Sequence, residues 1–345
     1  MNYMGIDHHK QYSHITLVDE KGKELRSRRV LNTLREVEAF LGGRGEEIMA
    51  VIETGRTSYV MVDLLRAFGV DIRMAHASEV KAIAKAKIKT DKRDSRILAH
   101  LLRTDMIPEV YLRSEENRIA QRVLRHRAFY VEMRTRVKNK IRVLLAQQRI
   151  ERQEQWSRIK NLFSVKGLEA LSGLELVSPE KDLLGNLIVL YRHLEERIKG
   201  SDRLVKEIYS QFREARLIST VPGFGEFLSV LAATEIADIN RFGSVEKLHC
   251  YAGVIPSTHD SGERRYHGRI IKAGNRWLRW AVVEAVWPAC KKDFDIQCFY
   301  DRRARRKKAN VAKVATAKRL LTIIYRVLKE DREYIPYKRK GSAAL

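Results

Sequence analysis

The stretch Ile48-Met-Ala-Val-Ile-Glu-Thr-Gly55 decides the fold class. An apolar run without polar alternation predicts a strand buried on both faces, as in sheets covered by helices on either side. The next segments fit that reading: helical spacing over Ser58–Phe68 stops at Gly69, and Val70–Ala75 reads as another strand. Upstream, Leu34–Leu41 has helical spacing and ends at Gly42-Gly43. Tyr3–Asp7 and His14–Val18 read as two short strands, and the polar turn Asp19-Glu-Lys-Gly22 leads into a third near Arg28–Leu31. A meander followed by alternating helices and strands predicts an α/β domain with a mixed sheet over residues 1–110.

The chain has 345 residues, enough for more than one core. Its 67 Lys and Arg against 43 Asp and Glu give a net charge of +24, which implies a polyanionic partner. The charge is unevenly placed. Residues 1–75 carry 11 basic and 11 acidic side chains, residues 76–150 carry 19 and 8, and residues 301–340 carry 15 and 4. A neutral core flanked by basic segments suits nucleic acid better than a membrane surface, since no apolar run of spanning length and no signal peptide is present. Three scattered cysteines, Cys250, Cys290 and Cys298, offer neither a disulfide framework nor a zinc site. A soluble, cytoplasmic protein is expected.

From Ser114 to Phe212 the pattern changes to long helices. Ile119, Val123, Tyr130, Met133, Val137 and Leu144 follow a 4-3 register broken by His126 and Lys140. Leu187, Tyr191, Leu194, Ile198, Val205, Ile208 and Phe212 repeat it, with Ser201 as the exception. This predicts an antiparallel coiled-coil arm over 111–214, an ordinary helical bundle being the alternative. Residues 215–345 read as a mainly helical domain with a basic tail. There Val221-Pro-Gly-Phe-Gly225 resembles a helix-hairpin-helix turn, in which Gly223 and Gly225 would bring backbone N–H groups to a phosphate.

The acidic residues carry the chemistry. Asp7 follows one apolar strand and Glu53 closes another, while Asp91 and Asp94 lie in Lys89-Thr-Asp-Lys-Arg-Asp-Ser-Arg-Ile-Leu-Ala-His100, which reads as a helix start. An i, i+3 spacing puts the last two on one helix face. Were the two strands neighbours, four carboxylates would converge, and such a cluster needs a counterion. Oxygen ligands favour magnesium, with manganese as the alternative. Singly, each acid has a plainer role as a turn or helix cap or, for Glu53, as a partner of Arg56.

A second segment, Gly253-Val-Ile-Pro-Ser-Thr-His-Asp-Ser261, runs through Gly262 into Arg264, Arg265, Arg269, Lys272, Arg276 and Arg279. Small residues beside dense positive charge predict a phosphate-gripping loop. From pattern alone, Ser261, with Ser257 nearby and Gly262 next, reads as a turn residue rather than a nucleophile.

The segments Gly5-Ile-Asp7, Ile52-Glu-Thr-Gly55 and Thr90-Asp-Lys-Arg-Asp-Ser95 resemble the DEDD motif of the insertion-sequence one-ten family of transposases, relatives of the Piv-type DNA invertases. The resemblance runs over nearly the whole chain. It implies an amino-terminal domain of RuvC-like, ribonuclease H type, with Asp7, Glu53, Asp91 and Asp94 as catalytic metal ligands. It further implies a carboxy-terminal serine transposase domain with Ser261 as nucleophile, a homo-oligomer pairing acidic and serine domains of different subunits, and a structured noncoding bridge RNA as guide. The expected function is recombination of DNA for an insertion sequence in a bacterial or archaeal nucleoid. Its rivals are a RuvC-like nuclease hydrolysing branched DNA and a non-catalytic nucleic-acid-binding protein.

Overall fold

A computed structural model describes the backbone of residues 1–43, 45–84, 90–261, 264–270 and 274–336, and their side chains except at 46, 150–152, 155, 258–261 and 264–269. The chain divides into two compact units, Met1–Arg113 and Ser114–Leu345.

The first unit runs β1 (Asn2–His8), β2 (Tyr12–Val18), β3 (Glu24–Leu31), α1 (Leu34–Leu41), β4 (Ile48–Glu53), α2 (Ser58–Arg66), β5 (Asp71–Ala75), α3 (Ala77–Ile83), α4 (Asp91–Arg103) and β6 (Glu109–Val110). Its sheet has the order β3-β2-β1-β4-β5-β6. The meander β1-β2-β3 is antiparallel, β4 lies parallel to both β1 and β5, and β6 closes the edge antiparallel. This mixed sheet is consistent with a nuclease-like α/β domain.

Strand periodicity explains the layers. Met4, Ile6, Ala50 and Ile52 point into a core with Phe40 of α1 and Met61 and Leu65 of α2. Residues of opposite parity, Val51 and Ala75, pack with Leu98 and Leu102 of α4, alongside Tyr3 and Met49. The apolar run of β4 is thus covered on both faces, as its sequence demands.

The second unit continues with α5 (Glu115–Ala146), α6 (Ile150–Ser157), α7 (Val165–Ser172), α8 (Glu180–Gln211), α9 (Arg213–Ser219), α10 (Glu226–Ile236), α11 (Val245–Ala252), β7 (Pro256–Ser261), β8 (Arg264–Ile270), α12 (Arg276–Glu284), α13 (Val286–Lys292), α14 (Phe294–Ala304) and α15 (Ala309–Lys329). Helices α5 and α8 have 32 residues each and pack antiparallel. Gln148 reaches Glu180, Arg134 reaches Glu195 and Arg127 reaches Asp202, so one index falls as the other rises. Val137, Ile141 and Leu145 meet Leu184, Ile188 and Tyr191 there, with Trp156 of α6 and Leu168 and Leu171 of α7 closing the cluster.

The α5 register departs from the 4-3 reading at its amino-terminal end. Ile119 is 44% exposed, while Ala120 and Leu124 are buried. Here α5 packs on α10 as well as α8: the Gln121 side chain donates to the Thr234 carbonyl at 3.0 Å. A second neighbour turns the buried stripe by one residue, and the small Ala120 suits the closer approach. A separate core gathers Val230, Leu231 and Ile236 of α10 with Leu278 of α12 and Leu320, Leu321 and Ile324 of α15.

Candidate metal centre

Asp7 and Glu53 stand at the carboxyl ends of neighbouring parallel strands. The last paired residues of β1 and β4 are Ile6 and Ile52, and the two acids follow one step later. In-register neighbours on parallel strands share a face, and alternation puts Asp7 with Gly5 and Glu53 with Val51, toward α4. Gly5 sets how near α4 comes, for a Cβ there would lie 1.9 Å from the Ser95 carbonyl oxygen and 2.4 Å from the Ala99 nitrogen. Only glycine permits that contact.

Helix α4 starts beside the strand ends. Thr90 is its N-cap, its hydroxyl accepting from the Arg93 N–H. Asp91 and Asp94 are therefore not the caps that a plainer reading would make them. They occupy the first turn, where the helix dipole favours negative charge. Asp91 lies one turn before Ser95, and Asp94 one turn before Leu98, whose Cβ approaches Gly5. Ser95 is buried and ties α4 to β2, with its Oγ 2.8 Å from Thr16 Oγ1 and 3.0 Å from His14 Nδ1. Burial holds the His14 imidazole below its usual pKa, against the pull of Asp91.

The side chains that meet are Asp7, Asp91 and His9, with one ligand atom from each lying within 4.8 Å of the others. His9 Nε2 stands 3.5 Å from Asp7 Oδ2 and 3.2 Å from Asp91 Oδ2. That nitrogen is buried and makes no well-formed hydrogen bond, although two carboxylates face it. The Tyr12 hydroxyl donates to Asp91 Oδ2 at 3.2 Å. Two carboxylate oxygens and an imidazole nitrogen suit a divalent cation. Ligands held at about 2.1 Å stand at most about 4.2 Å apart, so a sub-ångström inward shift completes the set. Glu53 and Asp94 share the face but fall outside this closest grouping among the described residues.

Sequence reasoning missed His9. Its signal was position, two residues beyond Asp7 at the end of the strand. The adjacent His8 is engaged elsewhere, with Ser13 and Thr57 at 2.9 and 3.1 Å, and burial lowers its pKa.

In the second unit, Ser261 ends strand β7, whose backbone pairs antiparallel with β8. Asp260 lies opposite Arg265, and Ser261 opposite Arg264 in the last pair. Where a loop was expected there are two paired antiparallel strands, with Ser261 in their last pair. The side chains of Ser261, Arg264, Arg265 and Arg269, and the whole of Lys272, lie outside the described residues.

The base of the hairpin is built tightly. A Cβ at Gly274 would lie 2.6 Å from both the Gly253 nitrogen and the Tyr251 carbonyl oxygen. Asn275 caps α12, accepting from the Trp277 and Leu278 N–H groups at 3.0 Å each. Its amide donates to the fully buried Glu235 at 2.8 Å, and Glu235 accepts from Arg125 at 2.8 Å. Arg279 donates to the Ala252 carbonyl at 3.1 Å, whereas Arg276 is exposed with its guanidinium 5.3 Å from the Trp277 ring centroid. Gly223, at φ +92°, fits closely against α13, where a Cβ would come 2.3 Å from the Ala285 carbonyl oxygen. Gly225 is the N-cap of α10, with open space where its Cβ would be.

Comparison with known proteins bears on both units. A DEDD transposase family model matches residues 4–149, and a model described as the transposase IS116/IS110/IS902 family matches residues 215–301. The chain is 25% identical to an uncharacterized protein of insertion element IS116 from Streptomyces clavuligerus, over 97% of this chain and 96% of the relative. It is 25% identical to a probable family 20 transposase of Pseudomonas aeruginosa, over 79% of this chain and 81% of the relative. It is 22% identical to the transposase for insertion sequence element IS1111A of Coxiella burnetii, over 96% and 90%.

Proposed function

The chain belongs to the IS110 family of transposases, and from that premise we propose that it recombines DNA with an acidic divalent-metal centre and a serine nucleophile. A transposase cuts DNA, so phosphodiester chemistry is the reaction to account for. The observation that carries the reading is the convergence of Asp7, His9 and Asp91 at the carboxyl edge of the sheet. Glu53 and Asp94, on the same face, complete a ligand set of the DEDD type. Magnesium bound there would act as a Lewis acid on phosphate oxygens and lower the pKa of a bound hydroxyl or water.

The protein's own parts divide the remaining work. Ser261 Oγ attacks the phosphorus, a phosphoserine ester forms, and a DNA hydroxyl leaves with the proton that the serine gives up. Attack by a second DNA hydroxyl on that ester returns the proton to serine and joins the new strand. Since the ester keeps the phosphate bond, joining needs no nucleoside triphosphate. Arg264, Arg265, Arg269, Lys272, Arg276 and Arg279 would hold the phosphates that flank the reacting one. Gly225, at the open N-cap of α10, is a further backbone phosphate site, and Gly223 shapes the turn that presents it. The net charge of +24 supports a structured RNA as second polyanion, guiding the choice of DNA within a homo-oligomer. Among the described residues no helix is long and apolar enough to cross a membrane.

The test is incubation with supercoiled DNA carrying the element's junction, its RNA and magnesium, followed by denaturing electrophoresis. The wild type should form a protein–DNA adduct that maps to Ser261. Ser261→Ala should bind DNA without adduct or joining, and Asp91→Asn should lose both adduct and cleavage. Cleavage to free ends by Ser261→Ala would instead identify a water-using nuclease, and DNA left uncut by the wild type would identify a binding protein.

A further inference from the structure

The basic run at the carboxyl end of the sequence acquires a shape in the structure. Helix α15 buries Ala312, Thr316, Leu320, Ile324 and Val327 on one side. Its other side, with α14, lines a groove of about 550 Å³ that includes Phe299, Arg303, Lys318, Arg319, Thr322 and Arg326. Four of these are cations and none is an acid. Among the described residues none of the four cations pairs with a carboxylate, unlike Arg127, Arg134 and Arg213 of the same unit, each of which does. Lys318 lies within electrostatic reach of Glu246, but four cations gathered in one concavity still favour a polyanion there.

Geometry narrows the polyanion. Residues 315, 318, 319, 322 and 326 recur at helical spacing, so the cations form a line along α15. From Lys318 to Arg326 the helix rises about 12 Å, or roughly three to four base-pair steps of a duplex. The single aromatic of the groove is already engaged: the guanidinium groups of Arg303 and Arg319 lie 5.0 and 4.8 Å from the Phe299 ring centroid. Base stacking, the usual anchor for single strands, therefore has no free ring here. Lining of this kind grips phosphates and offers little that reads bases.

We propose that the α14–α15 groove seats the phosphate backbone of duplex DNA without regard to sequence, separately from the serine hairpin. The choice of DNA as the polyanion rests on the transposase reading. The groove contributes position and affinity, leaving chemistry and target choice to other parts.

The test is equilibrium binding of labelled DNA duplexes of unrelated sequence by the full chain, without divalent metal, across a salt series of about 50–200 mM. Arg319→Gln with Arg326→Gln should lower the slope of log affinity against log salt by about 2, equally for every sequence. Arg319→Lys with Arg326→Lys should restore it, since a point charge suffices for a phosphate. A control that removes two charges elsewhere, Arg136→Gln with Arg142→Gln, measures the effect of net charge alone. The proposal fails if the groove variant changes the slope no more than the control, if the lysine variant does not rescue, or if only RNA affinity falls. Because no chemistry occurs in this assay, a chain that binds as described but never forms a serine adduct would sink the catalytic reading and leave this one standing.

Discussion

Replacing Gly5 by alanine should disable the metal centre without touching a ligand. The added Cβ would sit 1.9 Å from the Ser95 carbonyl oxygen and 2.4 Å from the Ala99 nitrogen, both backbone atoms of α4. A rotamer change cannot relieve such a clash, so the helix must retreat by more than about 1 Å to reach ordinary contact. Retreat lengthens the Ser95 contacts to Thr16 and His14, now 2.8 and 3.0 Å. Overpacking costs about 1–3 kcal/mol, and each buried hydrogen bond lost adds about 1 kcal/mol. A total of about 3–5 kcal/mol in a unit of this size lowers its melting temperature by roughly 12–20 °C. Moving Asp91 and Asp94 by about 1 Å from Asp7 should cut cleavage by about 100-fold and raise the divalent-ion concentration needed for half-maximal rate. The assay is magnesium-titrated cleavage with a parallel thermal melt. Gly185→Ala serves as the control, because that position on α8 has open space and alanine should be neutral or stabilising. Wild-type melting, rate and metal demand in Gly5→Ala would refute the account of how α4 is placed.

His249 should make the second unit acid-sensitive. Burial, reinforced by Lys318 and opposed by Glu246, lowers its pKa to about 4, and its Nδ1 is buried without a partner. The unfolded chain takes up the proton near pH 6.5, so the contribution is full above that value and is lost as pH falls toward 4; urea melts should show about 2 kcal/mol less stability at pH 5 than at pH 7.5, and His249→Asn should abolish that difference. Glu235→Ala should loosen the base of the hairpin, since Asn275 loses its carboxylate acceptor and keeps the Tyr251 hydroxyl, while the half-exposed Arg125 can turn to water. A loss of about 2 kcal/mol and faster hydrogen exchange over residues 251–275 are expected, with Glu235→Gln intermediate; unchanged exchange in Glu235→Ala would show that the crossing of Gly253 and Gly274 holds by packing alone.

What the sequence made legible was what side-chain periodicity encodes. Strands β1, β2, β4 and β5 and helices α1 and α2 were readable because alternation or helical spacing records which face is buried. Asp7 and Glu53 were readable because each ends an apolar strand at a place where a core residue would be expected. His9 was not, since one histidine after a strand carries no periodic signal and its partner Asp91 is far along the chain. The hairpin β7–β8 was hidden for another reason: its pairing is made by backbone groups, and a segment rich in arginine, glycine and serine lacks the alternation that marks a half-buried strand. The α5 register erred where a second helix, α10, competes for the same face, because a heptad pattern assumes a single partner.

The two parts of the proposed chemistry are held by different physics, and this separates their failures. The acids sit on two strand ends and the first turn of a helix, elements locked together by the glycine contact and by the hydrogen bonds of Ser95. A divalent cation bound there would offset the mutual repulsion of the carboxylates. Changes at this centre should therefore show first in metal demand. Ser261 stands at the last pair of a two-stranded hairpin, which is marginal alone. Its position depends on the clamp of Gly274, Asn275 and Glu235 at the hairpin base. Changes at the clamp should leave metal demand unaltered and lower the rate of adduct formation. A clamp variant whose defect is rescued by excess magnesium would contradict this division and require the serine segment to be ordered through the metal centre instead.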